Sequence, residues 1–322
     1  MPYPLLVSSI SASLRAVALG PVNPARYVRW TRGALWSLTV IVVSGGAVRL
    51  TGSGLGCSDW PNCEEDQFVA DLEYHALIEF ANRLFTGVVA VAVIMAVLGS
   101  LRRSPRRADL LGWSWGLVAG VAAQVVLGAV LVKTELDPRF TMGHFLLSMV
   151  LLANAVVLME LAGRDDAGAR RSPGVFTPAA RAISAVAAIL LVSGTIVTGS
   201  GPHSGSDEAE VAQRLPFLVR EVTRVHSIVA LVLLGGILWL VRSTHQQQQP
   251  EVRKRALVAA GLLVAQGAVG YWQYFAGVPV LLVGVHILGA SLSWIAIVRL
   301  HLSTAVGAAV AVSPPRSPEP AS

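Results

Sequence analysis

Residues 40–54 read VIVVSGGAVRLTGSG, and residues 189–201 read ILLVSGTIVTGSG. Each is an apolar run closing on the same small and polar residues. Val43-Ser44-Gly45 leads to Thr51-Gly52-Ser53-Gly54, and Val192-Ser193-Gly194 leads to Thr198-Gly199-Ser200-Gly201. The echo continues further along. Gln124 stands four residues before Gly128 and Gln266 four before Gly270, while His144 and His286 each follow their glycine by 16 residues. Three matched features in one order describe an internal duplication.

The duplicated material is membrane material. Of 322 residues, 54% are hydrophobic and 14% charged, with a mean hydropathy of +0.62. Soluble chains carry about 25% charged residues, so a soluble enzyme is disfavoured and a disordered chain excluded. A helix needs about 20 apolar residues to cross a hydrocarbon layer of about 30 Å. Eight runs qualify, at 30–49, 77–100, 111–133, 141–162, 178–199, 221–241, 256–275 and 281–300. The expected class is an all-α polytopic membrane protein whose eight transmembrane helices form two pseudo-symmetric four-helix bundles. The halves are 30–162 and 178–302, with a cytoplasmic N-terminal segment 1–29, a linker 163–177 and a disordered tail 303–322. Residues 1–29 carry Arg15, Arg26 and Arg29 but no convincing cleavage site, so no signal peptide is expected.

Charge orients the spans. Segments 1–32, 101–110, 163–181, 242–255 and 299–322 hold 18 Arg/Lys and 5 Asp/Glu, whereas 49–77, 133–141 and 200–221 hold 5 and 12. The positive-inside rule puts the first set, and both termini, in the cytoplasm. Each half then starts on the same side, so the repeat is parallel and its pseudo-two-fold runs along the membrane normal. The pI of about 9.9 reflects these loops and implies no nucleic-acid partner.

Seven histidines are present. His203 falls in an external loop, and His245 and His301 fall at cytoplasmic ends. The other four, His75, His144, His226 and His286, lie near the outer ends of the even-numbered spans. Ionisable residues inside a membrane are costly and mark function, and four at one depth call for one explanation. Imidazole is the usual axial ligand of haem iron, and a four-helix bundle can hold a haem between facing helices. His226 and His286 make a candidate ligand pair. In the first half His144 matches His286, Asn82 aligns with His226, and His75 lies two turns earlier. With no Cys-x-x-Cys-His present, any haem is non-covalent.

Glu79 and Arg83 share a face of the second span at i, i+4. They read as a structural ion pair, or as a proton-handling carboxylate and a propionate-binding arginine. Arg49 and Arg224 are further propionate candidates. Cys57 and Cys63, the only cysteines, stand in the first external loop, where an oxidising face favours a disulfide, either structural or redox-active.

Together these residues resemble the haem A synthase family across roughly 30–302. The resemblance rests on GGAVRLTGSGL at 45–55, the cysteine pair, IEFANRL at 78–84, Gly143-His144, His226 and His286. It implies a bacterial plasma-membrane oxidoreductase that converts the C8 methyl of haem O to a formyl group through two hydroxylations, giving haem A for aa3-type oxidases. It implies haem b on His226 and His286, haem O in the first half with His144 as ligand, and Glu79 near the substrate. Haem O synthase and an electron donor are implied partners.

One departure stands out. The family's Glu-x-x-His-Arg becomes Glu79-x-x-Asn82-Arg83 here. Either His75 supplies a second ligand to the substrate iron, or that iron is five-coordinate beside Asn82. The rival readings are an electron-transfer cytochrome b, which needs haems at both depths, and a repeat-built transporter, whose sites sit near the midplane. The paired Asp-x-x-x-Asp motifs of haem O synthase are absent.

Overall fold

The computed structural model describes residues 20–57, 59–63, 69–164, 171–206 and 213–307. Eight helices run through them: α1 (Pro24–Leu50), α2 (Tyr74–Arg102), α3 (Ala108–Lys133), α4 (Pro138–Ala162), α5 (Thr177–Ser200), α6 (Val219–Gln246), α7 (Pro250–Phe275) and α8 (Val280–Ser303). All eight are long and apolar enough to cross a membrane. Their outward side chains are apolar too, including Val88, Val91 and Ile94 on α2 and Leu231, Val232 and Leu238 on α6. Backbone groups in lipid must be satisfied within the segment, which continuous helices achieve. The chain is a multi-pass, all-α membrane protein.

Two helices overrun their apolar runs at starts that a polar side chain caps. The Asn23 side chain accepts the N–H of Arg26, with Pro24 in the first turn. Asp137 accepts the N–H of Arg139, ahead of Pro138. Both are standard helix starts. At its other end α1 closes on Gly52, at φ 72°. The Gly52 N–H reaches Arg49 O while the Ser53 N–H reaches Val48 O, a Schellman closure that favours glycine at the left-handed position.

Packing follows the duplication. Helices α1 to α4 close a ring in which α4 returns to α1, and α5 to α8 close a second ring in which α8 returns to α5. The rings meet through α4 with α8, α1 with α8, and α4 with α5. Exchanging α1 with α5 and α4 with α8 maps this set onto itself, so the pseudo-two-fold passes between α4 and α8. There Trp294 Nε1 donates to Met149 O at 2.8 Å. The turns before α4 and α8 also match. Glu135 and Leu136 have φ of 50° and 60°, and Gly277 and Val278 have 80° and 60°. The TGSG segments do not superpose in the same way: 51–54 follow α1, whereas Thr198–Ser200 form the last turn of α5. The cause is spacing, since Thr51 follows Ser44 by seven residues but Thr198 follows Ser193 by five.

Both cores are solid only toward the helix ends that carry Pro24 and Ser303. The first gathers Tyr27, Leu35 and Leu38 of α1, Val93 of α2, Leu110 and Leu117 of α3, and Leu152 and Leu158 of α4. The second gathers Ile183, Leu233, Ile237, Leu240, Leu263 and Leu300. At the opposite end the helices present His, Gln, Asn, Ser and Gly to one another. At the terminal end, a Cβ on Gly99 would lie 2.6 Å from Tyr27 Cδ2 and 2.8 Å from Trp30 Cε3. Gly99→Ala is therefore expected to lower the thermal midpoint in detergent, at a cost of about 1–3 kcal/mol; an unchanged midpoint would refute this tight packing.

Two expected boundaries shift. Residues 305–307, expected to be tail, form β2 (Ala305–Gly307), which pairs antiparallel with β1 (Arg171–Pro173) inside the expected linker. Thr177 Oγ1 also donates to Thr304 O at 3.2 Å. The N-terminal segment ends at Asn23 rather than Arg29, because the cap starts α1 early. Residues 1–19 and 308–322 lie outside the described residues.

Candidate functional site

The ends of α6 and α8 remote from the termini bring His226 and His286 together across the second ring. Their ring centroids are 6.5 Å apart at an interplanar angle of 65°. The surroundings decide what these imidazoles can do. Ser193 Oγ donates its proton to Leu190 O at 2.9 Å. Its oxygen is thereby left to accept from His226 Nδ1, 2.9 Å away. The tautomer that this contact accommodates, with the proton on Nδ1, leaves the Nε2 lone pair of His226 free for a metal. On α8, Gln266 Nε2 donates to His286 O at 2.9 Å. Nδ1 of His286 is buried with no hydrogen-bond partner among the described residues.

Glycines face both rings. A Cβ at Gly194 would lie 3.1 Å from His226 Cε1, and one at Gly270 would lie 3.3 Å from His286 Cε1. Larger residues would push the imidazoles inward. The set fits a metal held between two imidazoles, since bonds of about 2.0–2.1 Å from each ring nitrogen would leave room for one ion between rings at this separation. Among the described residues no group of three or more His, Cys, Asp or Glu gathers as an all-protein metal cage. A porphyrin, which supplies its own equatorial ligands, needs only two.

The first half repeats the scaffold with one substitution. Gln124 Nε2 donates to His144 O at 3.1 Å, as Gln266 does to His286 O. A Cβ on Gly128 would lie 3.9 Å from His144 Nε2. Ser44, the counterpart of Ser193, donates to Asn82 Oδ1 at 2.7 Å. A Cβ on Gly45 would lie 4.0 Å from Asn82 Nδ2, and one on Gly194 would lie 3.9 Å from His226 Nε2. Asn82 therefore stands in the place of His226. His75 sits at the start of α2, where its Nδ1 is 2.9 Å from Ser53 Oγ in the loop after α1.

Glu79 and Arg83 are occupied by that loop. Glu79, 6% exposed, accepts the Cys57 N–H at Oε2 (2.9 Å) and Arg83 Nη2 at Oε1 (2.6 Å). Arg83 also donates Nε to Glu79 Oε1 at 3.1 Å, and Nη1 to Asp59 O and Asn62 O, each at 2.9 Å. Four of its five N–H groups are thus engaged. Cys57 and Cys63 are disulfide-bonded and nearly fully buried, so the ion pair clasps a covalently closed loop onto α2. Sequence placed Glu79 and Arg83 on one face but gave no sign of this long-range partner.

Arg49 crosses between the halves. It donates Nη2 to Thr198 O at 3.1 Å and to His203 O at 2.9 Å. His203 Nε2 lies 2.9 Å from Val278 O, and the Gly54 N–H donates to Gly205 O at 2.7 Å. The loops following α1, α5 and α7 are so laced together. Arg224, two residues before His226 on α6 and so on a different face of the helix, is exposed. Sequence reasoning missed the role of Ser44 and Ser193; their signal was the Val-Ser-Gly shared by both halves. It also missed the buried oxygens of Thr223 and Gln273, which lack partners among the described residues near the same end of α6 and α7.

Fold and site define a polytopic membrane protein of two fused four-helix rings, with a histidine pair inside one and its modified copy in the other. The chain belongs to the COX15-CtaA family, cytochrome oxidase assembly protein, whose match covers residues 28–73 and 66–298. Among curated relatives, Heme A synthase of Exiguobacterium sibiricum is 25% identical over 75% of this chain and 83% of its own length. Heme A synthase of Bacillus cereus is 22% identical over 82% and 88%. Heme A synthase of Lysinibacillus sphaericus is 31% identical over a shorter stretch, 42% of this chain and 45% of that protein.

Proposed function

We propose that this chain is a haem A synthase, a membrane oxidoreductase that converts haem O to haem A. The observation that carries the reading is the His226–His286 pair, with ring centroids at 6.5 Å and repeated in modified form around His144 and Asn82. The inequality of the halves suits one resident haem and one substrate haem. His226 and His286 hold haem b, which supplies one-electron redox chemistry beside the substrate site. Ser193 fixes the tautomer of His226, and Gln266 fixes the α8 backbone beneath His286. Arg224 on α6, and separately the buried oxygens of Thr223 and Gln273 at the same end of α6 and α7, are assigned to the propionate edge of that haem.

The first half receives haem O, with His144 as iron ligand. The reaction takes the C8 methyl through two hydroxylations, each using one O2 with two electrons and two protons and releasing the second oxygen atom as water, to a gem-diol that loses water to leave the formyl group. Glu79 and Arg83 act through the disulfide loop, holding it over the start of α2 rather than touching substrate. Haem O is strongly apolar and reaches the site from the lipid, supplied by the prenyl-transferring enzyme that makes it. A separate electron donor completes the cycle. The charge bias of the loops supports a reading with both termini in the cytoplasm and both sites toward the outer face of a bacterial plasma membrane. All four span histidines lie toward that one end of the helices, which suits this chemistry and not a cytochrome that carries electrons across the bilayer.

Complementation tests the reading. Expressed in a bacterium whose own haem A synthase is deleted, the chain should restore the spectrum of an aa3-type oxidase. A membrane that accumulates haem O while the full-length chain is present would count against it.

A further inference from the structure

Asn82 is more than a lost ligand. In the second half, the Ser193 oxygen is placed to accept a hydrogen bond from an imidazole Nδ1–H, the tautomer that leaves His226 Nε2 as an electron-pair donor. In the first half the polarity is reversed. Ser44 Oγ gives its proton to Asn82 Oδ1 at 2.7 Å, its contact to Ile41 O being longer at 3.3 Å. The amide oxygen is thereby committed to Ser44, and Nδ2 is the Asn82 atom that faces Gly45, 4.0 Å from that glycine's Cβ position. An amide nitrogen has two N–H donors and no basic lone pair. It cannot ligate iron, but it can donate a hydrogen bond. The carboxamide oxygen, the one atom of Asn82 that could reach a metal, already accepts from Ser44.

We propose that the first-half site holds its iron porphyrin through His144 alone and leaves the opposite axial face open to a small, electron-rich ligand that Asn82 Nδ2–H holds in place. This rests on the reading of the first half as a porphyrin site. His75 is the rival for that face. It begins α2, two turns outward of Asn82, and its Nδ1 is engaged with Ser53. Asn82 is thus the residue that sets the two halves apart: one saturates its iron, the other keeps a position for exchange.

The test uses the full chain purified in detergent, in the ferric state, from a host that supplies haem O, with cyanide as probe. The wild type should show a high-spin haem beside a low-spin one, and cyanide should convert the high-spin component alone. His144→Ala should remove that component and spare the other. Asn82→His should turn the first site low-spin and abolish cyanide uptake. Asn82→Leu should keep the high-spin signal and weaken cyanide binding about tenfold or more, the loss of a hydrogen bond to a charged ligand. A wild type that is wholly low-spin, with a high-spin component emerging only in His75→Ala, overturns the proposal while leaving the first-half haem in place. Unchanged cyanide affinity in Asn82→Leu removes the amide's role. Total haem that does not change in His144→Ala removes the first-half porphyrin itself, and the proposal with it.

Discussion

His226→Ala is expected to cut the haem b content of the purified chain to background, read as pyridine haemochrome per mole of protein. The imidazole is one of two side chains that would grip the iron, and Gly194 opposite it offers no replacement. Ser193→Ala should act in the same direction but more weakly. It leaves both ligands and removes the hydroxyl that orients one of them; losses of such supporting partners run to about 10–100-fold in metal affinity. The graded pair matters. If His226→Ala and Ser193→Ala both retained full haem b, the second half would not be its site. Haem b should also survive in Asn82→Leu, which lies in the other ring.

The second large effect concerns Glu79. Removing one member of a buried ion pair strands the other, at a cost of about 3–5 kcal/mol. Glu79→Ala leaves the Arg83 guanidinium without its carboxylate and the Cys57 N–H without its acceptor. The loop at 57–63 should lift from α2, and alkylation of Cys57 and Cys63 under limiting reductant should accelerate by an order of magnitude or more. Turnover should fall with it. Glu79→Leu combined with Arg83→Met separates the two possible roles, since removing both charges together avoids the stranded ion. A stable double variant that regains part of its activity supports action through the loop. A stable double variant with its disulfide as protected as in the wild type and no activity would instead make Glu79 a group that touches substrate.

Hydropathy and charge made the eight spans legible, because lipid imposes one length and one polarity on every crossing segment. The duplication was equally legible in the repeated Gln, Gly and His spacing, and Gln124 and Gln266 repeat the same bond to the carbonyls of His144 and His286. Helix ends were less so: Asn23 and Asp137 extend α1 and α4 through polar caps that a hydropathy window excludes. Contacts between loops were hidden. Arg49 looked like an anion binder at a helix end, yet its guanidinium binds carbonyls of the other half, a pairing set by how the rings dock. The alignment of Asn82 with His226 was readable, but the orientation of its amide depended on Ser44, 38 residues away.

The most direct measurement is the haem complement after turnover. The chain would be expressed in a host that makes haem O but no haem A and purified in detergent. Its non-covalent haems would then be extracted, separated by chromatography and identified by pyridine haemochrome spectra. Haem A, or its hydroxylated precursor, should appear together with haem b. Haem b alone, with haem O supplied and reductant present, would contradict the account and leave an electron-transfer cytochrome in its place.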